Sequence, residues 1–231
     1  MKRIIILAIL FLMASTQAFA GIKVSELLAD PAFAALDPVQ RLENINQRLV
    51  DGTLTSSDIS GDVASRLFMD AIVSEPDAKA RLAKYGELRN RLEKMPQCYE
   101  LERSLAVQYL AADPATSGDD DLARLKVLLM LENTELISWP AAAALYTGTL
   151  ANHLASNAQY QAMSHADRIT YIRHLAADGV VKDLTATDFI RGEGMALLSE
   201  LPEAERAAAM AAMEAGLDFF SKSSLNNGYV Q

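Results

Sequence analysis

The chain has 231 residues, 51% of them hydrophobic but only 6% aromatic, and carries 21 basic against 30 acidic side chains for a formal net charge of -9. An acidic surface repels phosphate backbones and anionic lipid, and no cluster of Lys and Arg with interleaved aromatics occurs, so nucleic acid is set aside as a partner. Sparse aromatics beside abundant Ala, Leu and Met suit packed helices better than sheet sandwiches.

The first element is a three-zone leader: Lys2 and Arg3, an apolar run from Ile4 to Met13, and the small-residue close Ala18-Phe19-Ala20. That layout predicts bacterial-type export with cleavage after Ala20, placing the processed protein in the periplasm or outside the cell. The run is too short for a permanent anchor, which needs about 20 residues of helix. Later apolar runs are interrupted within a few residues, so no membrane span is expected in the processed chain. Loss of residues 1–20 takes two basic groups, leaving 19 against 30 and moving the net charge from -9 to -11. The only cysteine, Cys98, is far from the cleavage point, so lipidation is not supported. With no internal disulfide available, stability must come from the core, and Cys98 reads as a small packing residue, a reactive thiol being the alternative.

From Asp37 the chain predicts a helix with Asp37 as N-cap, Pro38 at its first position and Gly52 as its stop. Val39, Leu42, Ile45 and Leu49 give it one apolar stripe. A second helix is predicted from near Ser57, burying Ile59, Val63, Leu67 and Ile72. A third opens at Pro76 with Leu82, Tyr85, Leu88, Leu92 and Met95 along its stripe, and Pro96 restarts the pattern with Leu101 and Leu105 inward. The turn formers Asp113-Pro114-Ala115-Thr116-Ser117-Gly118 mark the expected flexible joint. Asp119, Asp120 and Asp121 then open a helix, where carboxylates complement its dipole. Val127 to Leu131 are apolar all round, which predicts a central helix.

Trp139-Pro140 begins an alanine-rich helix through Leu145, Leu150 and Leu154. Ser164 with Asp167 resembles a capping box ahead of Ile169, Ile172 and Leu175, with Gly179 as the stop. Pro202 opens a last helix with Ala207, Met210, Met213, Leu217 and Phe220 on one stripe. Val180-Val181 is too short for a strand, and no segment alternates with period two. The predicted class is all-α, a helical bundle or short array of helical hairpins with about 8 to 10 helices. Its divisions are a leader at 1–20, a helical half at 21–112, the joint at 113–118, a second half at 119–222 and a flexible tail at 223–231.

Two blocks echo each other. Arg41-Leu42-Glu43-Asn44-Ile45 through Asp51-Gly52 matches Arg168-Ile169-Thr170-Tyr171-Ile172 through Asp178-Gly179, and Leu54 to Ile59 answers Leu184 to Phe189. A weaker form opens at Arg81 and Arg124, giving spacings of 40, 43 and 44, which are helical-hairpin repeat lengths. Capping chemistry alone would repeat Asp-Gly and Thr or Ser without duplication, so both readings stay open at this point. The arginines are what capping does not explain.

No stretch carries a trusted catalytic or ligand pattern. Asp51 to Asp58 resembles the second half of a calcium loop, but Leu49 falls where a ligand is needed. His153, His165 and His174 lack the spacing that puts two ligands on one helix face. There is no Gly-x-Ser-x-Gly, Gly192-Glu193-Gly194 lacks a third glycine and a preceding strand, and acidic pairs such as Glu203 with Glu205 are too many for one to stand out. The expectation is accordingly no cofactor and no metal site. Binding to another envelope or secreted protein leads, with Trp139 as the candidate contact residue. A cell-envelope hydrolase with dispersed carboxylates and a small-ligand or metal carrier are the alternatives.

Overall fold

The computed structural model describes residues 23–212 except 117, 119 and 204. Every regular element among them is helical, with no strand, so the all-α reading holds. No described helix is long and apolar enough to cross a membrane. The leader at 1–20 and the tail at 223–231 lie outside the described residues. The chain divides into two compact units, Met1–Leu101 and Glu102–Gln231. The division falls in the first turn of a helix, ahead of the 113–118 segment.

The first unit starts with two short helices that apolar spacing does not announce, α1 (Val24–Ala29) and α2 (Pro31–Ala34), which bury Val24, Leu27 and Phe33. Helix α3 (Pro38–Val50) forms as the sequence predicts: Asp37 Oδ1 accepts from the Gln40 N–H at 2.9 Å, closing a capping box, and Leu42 and Ile45 are fully buried. Gly52 ends it at φ +76, a left-handed value that costs glycine little. The second helix, α4 (Gly61–Ile72), starts later than expected, with Ser60 as its N-cap. A 3-10 turn at Ser56–Asp58 precedes it, because Asp58 Oδ2 takes the Thr55 N–H at 2.7 Å and holds the chain in a local turn. Helix α5 (Ala78–Arg91) buries Leu82, Tyr85 and Leu88, and Leu92 and Met95 beyond it are buried too, as predicted. The Phe68 and Tyr85 rings meet edge to face at 5.3 Å, and Arg91 pairs with Glu43 at 2.9 Å.

Helix α6 (Tyr99–Ala112) leads into the second unit with Leu105, Ala106, Tyr109 and Leu110 inward. The 113–118 segment is bonded to its surroundings: Thr116 is buried, its hydroxyl donates to the Leu110 carbonyl at 2.6 Å, and the Ala115 N–H donates to Asp113 Oδ1 at 2.8 Å. Helix α7 (Asp121–Asn133) buries Leu125, Leu128 and Leu131 along one side only. Met130 is 44% exposed, so α7 lies against the core and is not its central element. Helix α8 (Trp139–Ser156) is followed by the short α9 (Ala158–Gln161). Next comes α10 (His165–Ala177), capped by Ser164 Oγ at 3.2 Å from the Asp167 N–H.

Helix α11 (Asp183–Ser199) pairs with α10 and is the element sequence periodicity misses. Its buried side contains Thr185, Thr187 and Gly194, residues of modest or poor helix propensity, beside Ala186, and the small size of all four suits close packing. Leu184 to Phe189 therefore sit in a helix, whereas Leu54 to Ile59 form a loop and 3-10 turn, and that part of the echo has no common structure. Residues 203 and 205–212 form α12. Its expected inward stripe is open in the described part, with Ala207 exposed and Met210 38% exposed. Met213, Leu217 and Phe220 lie outside the described residues.

Candidate functional site

The arginines that capping left unexplained share one local geometry. Arg41, Arg124, Arg168 and Arg206 each stand four places after the residue that caps or precedes their helix: Asp37, Asp120, Ser164 and Pro202. From there the guanidinium reaches back to carbonyls of the preceding segment. Arg41 Nε donates to the Leu36 carbonyl at 3.0 Å and Nη2 to that of Ala34 at 2.7 Å. Arg124 reaches the Thr116 and Gly118 carbonyls at 3.2 and 2.7 Å, and Arg168 those of Tyr160 and Gln161 at 3.1 and 2.8 Å. Arg206 Nη2 reaches the Leu201 and Ser199 carbonyls at 3.1 and 3.4 Å. Arg81 is placed alike, but its Nε donates to the carbonyl of its own cap, Asp77, at 3.3 Å. A planar fork spans two carbonyls at once, which is why arginine and not lysine suits the position.

The likeness extends past the lock. Counting from Arg124 and Arg168, the apolar residues one, four and seven places on are Leu125, Leu128 and Leu131, and Ile169, Ile172 and Leu175; all are buried except Ile169, which is half-buried. Eleven places on from Arg41, Arg124 and Arg168 stand Gly52, Glu135 and Gly179, at φ +76, +57 and +65. Thirteen places on, the N–H groups of Leu54, Ile137 and Val181 return to the carbonyls of Arg48, Leu131 and Leu175 at 2.9, 3.2 and 3.2 Å. Those three apolar side chains are buried. Capping rules account for a left-handed turn. They do not account for the arginine and the left-handed turn recurring in one register in all three blocks, nor for the apolar triplet shared by the Arg124 and Arg168 blocks; in the first block Arg48 instead stands seven places after Arg41.

Trp139, the expected contact residue, is the first residue of α8 and is half-buried. Its ring lies 6.3 Å from that of Tyr146, and Lys182 Nζ stands 4.9 Å from its centroid. Lys182 also pairs with Glu132. The Tyr146 hydroxyl is buried with no hydrogen-bond partner among the described residues, and burial together with the Glu132 charge pushes its phenol well above the usual range. Beside this cluster the fully buried Glu102 carboxylate accepts the Ser138 N–H at 2.7 Å and hydroxyl at 2.5 Å, holding the start of α8. Sequence reasoning passed over Glu102, although its register with Leu105, Ala106 and Tyr109 marks it as facing inward.

A second polar network joins α9, α10 and α11. Glu193 Oε1 accepts from the Tyr160 hydroxyl at 2.8 Å, and Oε2 lies 2.6 Å from His165 Nδ1. Arg168 stands 3.7 Å from the same carboxylate and 5.1 Å from the Tyr160 ring centroid. Burial raises the Glu193 pKa, but the hydrogen bonds from His165 and Tyr160 and the Arg168 charge outweigh it and hold the carboxyl below its usual range. Its oxygens are occupied by its own neighbours, the arrangement of a tie between helices. His153 Nε2 is 2.8 Å from the Tyr171 hydroxyl, so His153 and His165 face separate partners, and His174 is exposed. Among the described residues no group of three His, Cys, Asp or Glu is placed to hold a metal. Cys98 is buried with Sγ 3.4 Å from the Pro96 carbonyl, and Asp51 and Asp58 are taken up by Thr53 and Thr55 in turns of their own.

In the first unit an open groove of about 430 Å³ is lined by Val24, Leu28, Ser57, Asp58 and Val63. No protein family, curated protein or solved structure matches the chain.

Proposed function

We propose that the processed chain, exported and freed of residues 1–20, works by binding another envelope or secreted protein, as an assembly factor, adaptor or inhibitor. The observation that carries this reading is the recurrence of the arginine-locked helical unit. Chains built of such units make contacts that are local in sequence, and their surfaces grow by repetition, a design that offers faces to partners. Trp139 is the contact residue first proposed, with Lys182 over its ring and Pro140 exposed beside it. The -11 charge left after processing favours a basic partner.

The test is a pull-down from envelope extract with residues 21–231 as bait. A stoichiometric partner is expected, retained less well by Trp139→Ala. Recovery of none, together with hydrolysis of an envelope polymer by the purified chain, would replace this reading with that of an enzyme.

A further inference from the structure

We infer that Trp139 and Glu132 form a seat for an arginine side chain of the partner, and that Lys182 occupies this seat until the partner displaces it. The inference rests on the partner-binding reading and gives that reading its contact chemistry.

The register of the lock arginines supplies the frame, because all three residues depart from it. Eight places after Arg41 and Arg168 stand Leu49 and Ala176, and the corresponding residue after Arg124 is Glu132. Fourteen places after Arg41 and Arg124 stand Thr55 and Ser138, each at the N-cap of the turn or helix that follows, and after Arg168 the same place is held by Lys182. Fifteen places on, Trp139 takes the position of Ser56 and Asp183. Lysine is a poor substitute for a capping residue. Its side chain makes no cap bond here, and a cation at a helix N-terminus opposes the dipole. Glu132 lies in the last turn of α7, where a carboxylate is equally out of place. Neither charge serves the helix that carries it.

Together they serve something else. Lys182 Nζ stands 4.9 Å from the Trp139 ring centroid and pairs with the Glu132 carboxylate. An aromatic face beside a carboxylate is the chemistry that holds a cation. The Glu132 side chain is 16% exposed and that of Lys182 30%, so the lysine is the outer member of the pair and the one a newcomer meets first. The guest that fits better is arginine. A guanidinium stacks flat on an indole while its fork gives a carboxylate two parallel bonds, and an ammonium cannot do both. Lys182 is tethered, and its high effective concentration keeps out weak competitors. An arginine on a basic partner overcomes the tether through the second bond and through long-range attraction to the -11 chain. A second copy of this chain is repelled by the same charge.

Trp139 is the only tryptophan in the chain, so its fluorescence reports the seat directly. The probes are N-acetylarginine methylamide and its uncharged isostere N-acetylcitrulline methylamide, titrated into the full chain. Lys182→Met should bind the arginine probe at least ten times more tightly than the natural chain does, and adding Glu132→Gln should remove that gain. The citrulline probe should gain nothing. No saturable signal from Lys182→Met, equal affinity of the natural chain and Lys182→Met, equal response to both probes, or a gain that survives Glu132→Gln overturns the inference. Should Lys182→Met lower the thermal midpoint, saturating arginine probe should restore it and citrulline should not. A loss that neither probe repairs marks the lysine as purely structural and also overturns the inference. So does a dimer of the full chain that Trp139→Ala dissociates in light scattering, because the occupant is then a second copy. In the pull-down, Lys182→Met should raise retention of the partner and Glu132→Gln should lower it. A recovered partner indifferent to both substitutions means that the seat is wrong while the partner-binding reading stands. Recovery of none removes that reading and the inference with it.

Discussion

Glu193 illustrates how one side chain can tie three helices and make the tie depend on pH. Its carboxylate is engaged by Tyr160 on α9, by His165 and Arg168 on α10, and belongs to α11 itself, with Glu200 3.9 Å beyond His165 Nε2. Because the folded carboxyl has a lowered pKa relative to its ordinary 4.5, folding favours the charged form. The stability this provides is full above the unfolded value and is lost as pH falls through the lower folded value. Urea midpoints measured from about pH 6 down to about pH 3 should therefore decline more steeply for the natural chain than for Glu193→Gln. Asp51, Asp58 and Glu87 are also lowered, but they are unchanged in the variant, so the difference between the two curves reports Glu193. Parallel curves would mean that the network contributes nothing to folding.

Among the elements, the arginine lock does the work that loop length does in simpler hairpins, since it fixes where one helix leaves off relative to the next. Arg168 is the clearest case, with two carbonyls, the Tyr160 ring and Glu193 around one guanidinium. Lysine keeps the charge but can address only one carbonyl well. Arg168→Lys should lower the unfolding free energy by about 1 to 2 kcal/mol, and Arg168→Met by more, read from urea denaturation. An Arg168→Lys chain as stable as the parent would show that charge alone suffices. The apolar stripes and caps of α3, α5 and α10 were legible because local chemistry and burial agree there: Asp37 and Ser164 cap, Leu42, Leu82 and Ile172 bury. The recurrence of Arg41 and Arg168 was visible as letters, but what they bind was not, since the carbonyls of Ala34 and Gln161 carry no sequence signature. Helix α11 was invisible for the opposite reason. Thr185, Thr187, Gly192 and Gly194 argue against a helix locally, and packing on α10 overrides them.

For the molecule as a whole, charge and close contact act on different steps of association. The chain carries -9 as written and -11 without residues 1–20, while the seat at Trp139 holds one partly buried carboxylate, Glu132. Long-range attraction to a basic partner sets the rate of encounter and is screened by salt, whereas partly buried contact formed after docking governs escape and is screened little. The periodicity at Ala207, Met210 and Met213 was read as core, whereas among the described residues Ala207 and Met210 are exposed. Raising sodium chloride from about 0.05 M to about 0.5 M, where the screening length falls to a few ångströms, should slow association with the partner recovered by the pull-down severalfold and leave its dissociation nearly unchanged. Trp139→Ala should do the reverse, speeding dissociation by tenfold or more in stopped-flow measurements. Should salt instead act on dissociation while Trp139→Ala acts on association, the division of labour between acidic surface and aromatic seat would be untenable, and the docking surface would have to be sought on another face.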